Sequence, residues 1–117
     1  MMNKYSLIFE LCNCKGHDLY DNDKIGSVFN DLLVKSGFSI VSSIKHDFTP
    51  QGLTFVTILS ESHALVHTFP EETRLSIDLY TCSDPDKLEF FIELALQEFL
   101  PGKYFFKVVD RNKIVEI

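Results

Sequence analysis

Residues 38–82 carry four short stretches rich in β-branched and aromatic residues, Phe38 to Phe48, Leu53 to Leu59, Ser62 to Phe69 and Arg74 to Cys82. Only residues 49–52, 60–61 and 70–73 separate them, and Thr49-Pro50-Gln51-Gly52 has the proline and glycine chemistry of a turn. Parallel neighbours need a crossover of a dozen or more residues, so strands this closely spaced can pair only as an antiparallel meander. That meander limits the fold more than any other feature of the chain.

Helical periods bracket it on both sides. Ile25, Val28, Phe29, Leu32 and Leu33 recur at helical spacing, with Asp21, Asn22 or Asp23 as N-cap and Gly37 as the stop. Leu88, Phe91, Ile92, Ala95, Leu96 and Phe99 repeat the pattern between a Ser83-Asp84-Pro85 opening and a Pro101-Gly102 stop. Tyr5 to Cys12 reads as an opening strand, and Tyr104 to Asp110 as a closing one. Ile114 to Ile117 is an optional last β segment beyond the turn Arg111-Asn112-Lys113. The order β-α-β-β-β-β-α-β predicts an α+β two-layer sandwich, an antiparallel sheet covered on one face by two helices. At 117 residues, 45% hydrophobic and with eleven Phe, the chain can supply one such core, so a single domain is expected.

Eleven Lys and Arg stand against seventeen Asp and Glu, a net charge of -6 that does not suit a phosphate backbone. Nucleic acid is therefore not expected as a partner, and cationic small molecules suit this charge better. The run Met1 to Cys12 is too short and, with Glu10, too polar for a signal peptide or a membrane span. Three cysteines cannot all pair, which points to free thiols and a cytoplasmic location. No metal is expected: Cys12, Cys14 and His17 lack a second ligand pair at zinc spacing, and His63 with His67 lacks a third ligand.

Phosphate-binding glycine loops, nucleophile elbows and paired helical histidines are all missing. The unusual feature is one polar run inside the meander, Glu61-Ser62-His63-Ala64-Leu65-Val66-His67-Thr68-Phe69-Pro70-Glu71, followed by Asp78-Leu79-Tyr80-Thr81-Cys82. On an extended strand His63, Leu65 and His67 share one face and Ser62, Ala64 and Val66 the other, unless Ser62 lies at an irregular strand start. Spacing alone equally allows a hairpin bend, a hydrogen-bonded histidine and an ordinary buried thiol.

Those same segments, with His46-Asp47-Phe48-Thr49-Pro50-Gln51-Gly52-Leu53-Thr54 before them, resemble the signature of the prokaryotic S-adenosylmethionine decarboxylase proenzymes, a pyruvoyl-dependent family. The resemblance implies self-cleavage between Glu61 and Ser62 into a β chain, 1–61, and an α chain, 62–117, that starts with a pyruvoyl group made from Ser62. It implies that His67 is the base for this processing and that Thr54 supplies the hydroxyl for which the family uses serine. The pyruvoyl group would form a Schiff base with the substrate amine and withdraw electrons as carbon dioxide leaves, a task no encoded side chain can perform. Cys82 matches the family's proton donor, a role that suits a thiol because thiols are largely protonated at neutral pH. Phe48 aligns with an aromatic that stacks on adenine and Glu71 with a carboxylate that holds ribose hydroxyls. The product would be the aminopropyl donor for spermidine synthesis, made by a homodimer of cleaved β and α chains. Ser83 follows Cys82 where the family usually has glycine, so ornithine or arginine stays open as an alternative substrate. A noncatalytic, uncleaved binding homologue is the alternative from another class.

Overall fold

A computed structural model describes residues 3–117. The first two residues of the predicted β chain and of the amino-terminal run lie outside the described residues. The chain runs β1 (Tyr5–Cys12), α1 (Asn22–Lys35), β2 (Ile40–Asp47), β3 (Leu53–Leu59), β4 (His63–Phe69), β5 (Arg74–Thr81), α2 (Asp86–Phe99) and β6 (Lys103–Asp110). The six strands form one antiparallel sheet in the order β2-β3-β4-β5-β1-β6. The expected two-layer α+β sandwich is present: both helices carry their apolar stripes against one face of this sheet.

Strand alternation decides what that face is made of. Leu7, Phe9 and Leu11 of β1, Ala64 and Val66 of β4, and Leu75, Ile77 and Leu79 of β5 are all buried. They meet Ile25, Phe29 and Leu33 of α1 and Phe91, Ala95 and Phe99 of α2 in a single apolar core. Phe29 packs edge to face against both Phe55 of β3 and Phe91 of α2. Helix α1 lies close on the sheet because Gly26 has no side chain, since a Cβ there would stand 2.7 Å from the Phe55 ring. Among the described residues no helix is long and apolar enough to cross a membrane.

Local details depart from the expected boundaries for identifiable reasons. Asp21 is the N-cap of α1, its carboxylate accepting from the Lys24 amide. β2 begins at Ile40 rather than Phe38, because Gly37 takes φ +100° after the helix and Phe38 turns into the core. At the start of α2 it is Asp84 that accepts the Asp86 amide, and Pro85 occupies the cap position without a side-chain bond. The helix stops at Leu100, whose left-handed conformation ends it before Pro101-Gly102. A short 3₁₀ turn, Pro70–Glu72, joins β4 to β5. Ile114 to Ile117 is not a strand; Ile114 is 80% exposed, and four residues with so little burial cannot offset the entropy of ordering them.

Candidate functional site

The face of the sheet opposite the helices is uncovered, and strand alternation turns His63, His67, Asp78 and Tyr80 onto it, whereas Thr68 and Thr81 are buried on the helix side. Ser60 and Glu61 form the two-residue turn of the β3–β4 hairpin, closed by the Leu59 amide donating to the Ser62 carbonyl at 2.9 Å. Ser62 leaves that turn half-buried, one residue before β4 begins. Its hydroxyl oxygen accepts the Cys82 amide at 3.3 Å. Cys82 lies just past the end of β5, so the expected nucleophile and proton donor meet across two neighbouring strands. The Cys82 thiol points to the Tyr80 hydroxyl at 3.9 Å, a long contact that raises the Tyr80 pKa. The Tyr80 ring in turn lies against the His63 ring at 5.3 Å and under the Arg111 guanidinium at 4.7 Å.

Thr54 and His67 form a second group. They face each other across the β3–β4 ladder, with Thr54 Oγ1 and His67 Nδ1 2.8 Å apart. The His67 ring is flanked by Phe69 at 4.5 Å and Phe48 at 5.5 Å. Phe48 follows β2 in a turn that Gly52 permits with φ +113°, and the Phe48 amide donates to the Gly52 carbonyl at 3.0 Å. The Asn22 amide at the start of α1 fastens this turn, donating to Gly52 O and to Asp47 Oδ1. That second bond holds the Asp47 carboxyl below its ordinary range. Glu71 reaches solvent from the 3₁₀ turn, accepting from the Gln51 amide at 3.3 Å.

The residues singled out from the sequence therefore fall into two clusters, Glu61-Ser62-Cys82 and Phe48-Thr54-His67-Glu71. Ser62 and His67 are five residues apart along an extended segment, roughly 16 Å, so one chain does not bring them together. His63 and His67 share a face yet stand about 13 Å apart, too far to hold one ion. Among the described residues no three His, Cys, Asp or Glu side chains form a metal set. Cys14 is buried, its thiol donating to Leu11 O and its pKa pushed up to about 11 by burial and by Cys12. His17 is 2.7 Å from Glu98.

Sequence reasoning did not single out Tyr80 or Arg111. Period-two alternation places Tyr80 on the same face as Cys82, and that was the available signal. Nothing local marks Arg111, which reaches Tyr80 only because β6 pairs with β1 beside β5. A further polar patch runs along the open face. Glu10 accepts from Arg74 and Ser76 at 2.7 Å, and Asp78 has its pKa raised by burial first and by Glu10 second, with His63 acting in the opposite direction.

Known proteins resemble this chain in sequence and share its fold. A family model described as S-adenosylmethionine decarboxylase matches residues 5–112. The S-adenosylmethionine decarboxylase proenzyme of Archaeoglobus fulgidus is 31% identical over 106 residues, covering 91% of this chain and 95% of that protein. The proenzyme of the same name from Geobacillus kaustophilus is 46% identical over 80 residues, which span 68% of this chain and 64% of that one. The crystal structure of the adenosylmethionine decarboxylase from Aquifex aeolicus has the same fold, with a TM-score of 0.84 at 24% identity, covering 99% of this chain and 96% of that one. The matched span takes in every strand and both helices, together with the positions of both residue clusters, and the chain belongs to the S-adenosylmethionine decarboxylase family.

Proposed function

We propose that this chain is a proenzyme that cuts itself between Glu61 and Ser62 and then, in the cytoplasm, decarboxylates S-adenosylmethionine to the aminopropyl donor used for spermidine. The observation that carries the proposal is the position of Ser62. It leaves a two-residue turn with its hydroxyl oxygen on the Cys82 amide, next to a peptide bond held in an exposed bend. The names of the relatives favour S-adenosylmethionine over ornithine or arginine, and a proenzyme over an uncleaved homologue.

Ser62 Oγ attacks the Glu61 carbonyl carbon, and the Glu61–Ser62 amide bond breaks as the ester forms, the proton passing from oxygen to nitrogen. Loss of the Ser62 Cα proton then breaks the Cβ–Oγ bond. Glu61 departs as a carboxylate that keeps the former serine oxygen. Water replaces the nitrogen left on residue 62, ammonia is released, and a pyruvoyl end remains. Once present, that group supplies the electron sink a decarboxylation needs. Cys82, one backbone hydrogen bond from Ser62, is placed to return a proton to the substrate's Cα. Phe48 offers a half-exposed ring face for adenine, and Glu71 an exposed carboxylate for ribose hydroxyls.

A homodimer completes the site. Ile8, Ile58 and Phe105 lie exposed on the open face, an apolar surface suited to a second sheet. In a two-fold interface each patch meets its counterpart, so a copy stacked with its strands reversed would carry its Thr54–His67 pair to the Ser62–Cys82 end of the other. In that arrangement His67 serves as base for a bond in the neighbouring chain.

Ser62→Ala tests the assignment of the bond. The variant is expected to remain a single 13.5 kDa chain with no carbon dioxide released from S-adenosylmethionine, and continued cutting would remove Ser62 from its role.

A further inference from the structure

A small cavity of about 150 Å³ lies against the turn that carries Ser62, on the helix side of the sheet. Its walls include Phe38, Leu59, Glu61, Ser62, Ser83 and Lys87. Lys87 is the one basic side chain among them. It is half-buried in the first turn of α2, with its ammonium 5.5 Å from the centre of the Phe38 ring. Among the described residues no carboxylate forms an ion pair with it. An ammonium on a ring face, with no carboxylate paired to it among the described residues, is poised for an anion, and a cavity of this size holds a carboxylate and a few waters.

We propose that Lys87 is a positioning residue that takes up the α-carboxylate created at Glu61 when the chain is cut. The inference rests on the self-cleavage proposed above, which makes that anion at the wall of the cavity. Pairing with Lys87 draws the new end of the β chain toward the helix side. The pyruvoyl end and Cys82 are then left facing the open side, where the substrate enters. Without the lysine the freed end, carrying two carboxylates on one residue, is loose beside the reaction centre.

Carboxypeptidase trimming of the mature protein, followed by mass spectrometry, tests this without reference to activity. The wild-type β chain is expected to lose Glu61 about tenfold more slowly than that of Lys87→Gln, with Lys87→Arg retaining most of the protection. Cutting at 61–62 is expected to be as complete in Lys87→Gln as in the wild type, since the ammonium acts on the product. Equal trimming in the cut wild-type and Gln forms would overturn the role of Lys87 and leave the cleavage proposal standing. An uncut Gln variant beside a cut wild type would place the lysine in the cleavage step instead and would also overturn it. A wild-type chain that stays whole at 13.5 kDa would sink both readings together.

Discussion

The two ends of β4 carry two separate groups of polar residues. At its start lie Ser62 and Cys82, the proposed cutting site and the proposed proton donor, in contact through a backbone amide at 3.3 Å. Toward its other end, His67 and Thr54 hold a base and a hydroxyl 2.8 Å apart, among the rings of Phe48 and Phe69. At the first end the nearest imidazole, His63, lies against the Tyr80 ring, and the Ser62 hydroxyl oxygen accepts the Cys82 amide instead; the second end has a base without a bond to act on. A strand of this length keeps them apart, and in the proposed homodimer a second copy stacked on the uncovered face joins them.

Co-expression of two defective chains probes this division most strongly. His67→Ala and Ser62→Ala are each expected to stay uncut when made alone, general-base loss costing roughly 10²–10⁴ in rate. Made together, the His67→Ala chain regains cutting because its Ser62 meets the His67 of the other copy, while the Ser62→Ala chain stays whole. Mass spectrometry of the mixture reads this directly, and if the mixture stays uncut the shared site is wrong.

Cys82→Ala separates turnover from processing at the first end. Cutting is expected to persist while carbon dioxide release falls about 10²-fold or more, as measured with labelled substrate. Unchanged release would remove the thiol from the mechanism.

The smallest effect concerns Asp78, on the open face between the two ends. Burial raises its carboxyl, so the folded state holds that proton to higher pH than the unfolded chain does. Its contribution favours the fold below the unfolded carboxyl's value, about 3.9, and is lost as pH rises through the interval up to the raised folded value. Thermal melts across that interval should therefore show wild type losing stability relative to Asp78→Asn as pH increases. Parallel curves would mean that the carboxyl is as well solvated as in the open chain.

The covered face was legible because burial writes itself into alternation. Leu7, Phe9 and Leu11, and likewise Leu75, Ile77 and Leu79, repeat every second residue, and the helices repeat at their own period. The open face follows no such rule, since a polar residue there looks like any solvated one. Ser62, Cys82, His67 and Thr54 were singled out through resemblance, although the distance between Ser62 and His67 along a strand was already implied by their spacing. Lys87 and Arg111 gave no local signal, because their neighbours come from distant parts of the chain. Ile114 to Ile117 misled in the other direction: its apolar composition suits a strand, but among the described residues it has no ladder partner, and it buries little.

The most direct measurement is the intact mass of freshly purified wild-type protein, taken before and after treatment with a carbonyl-trapping hydrazine. Two fragments that meet between residues 61 and 62, with the hydrazine adduct on the 62–117 piece alone, are the result this account predicts. One unlabelled species near 13.5 kDa would contradict it.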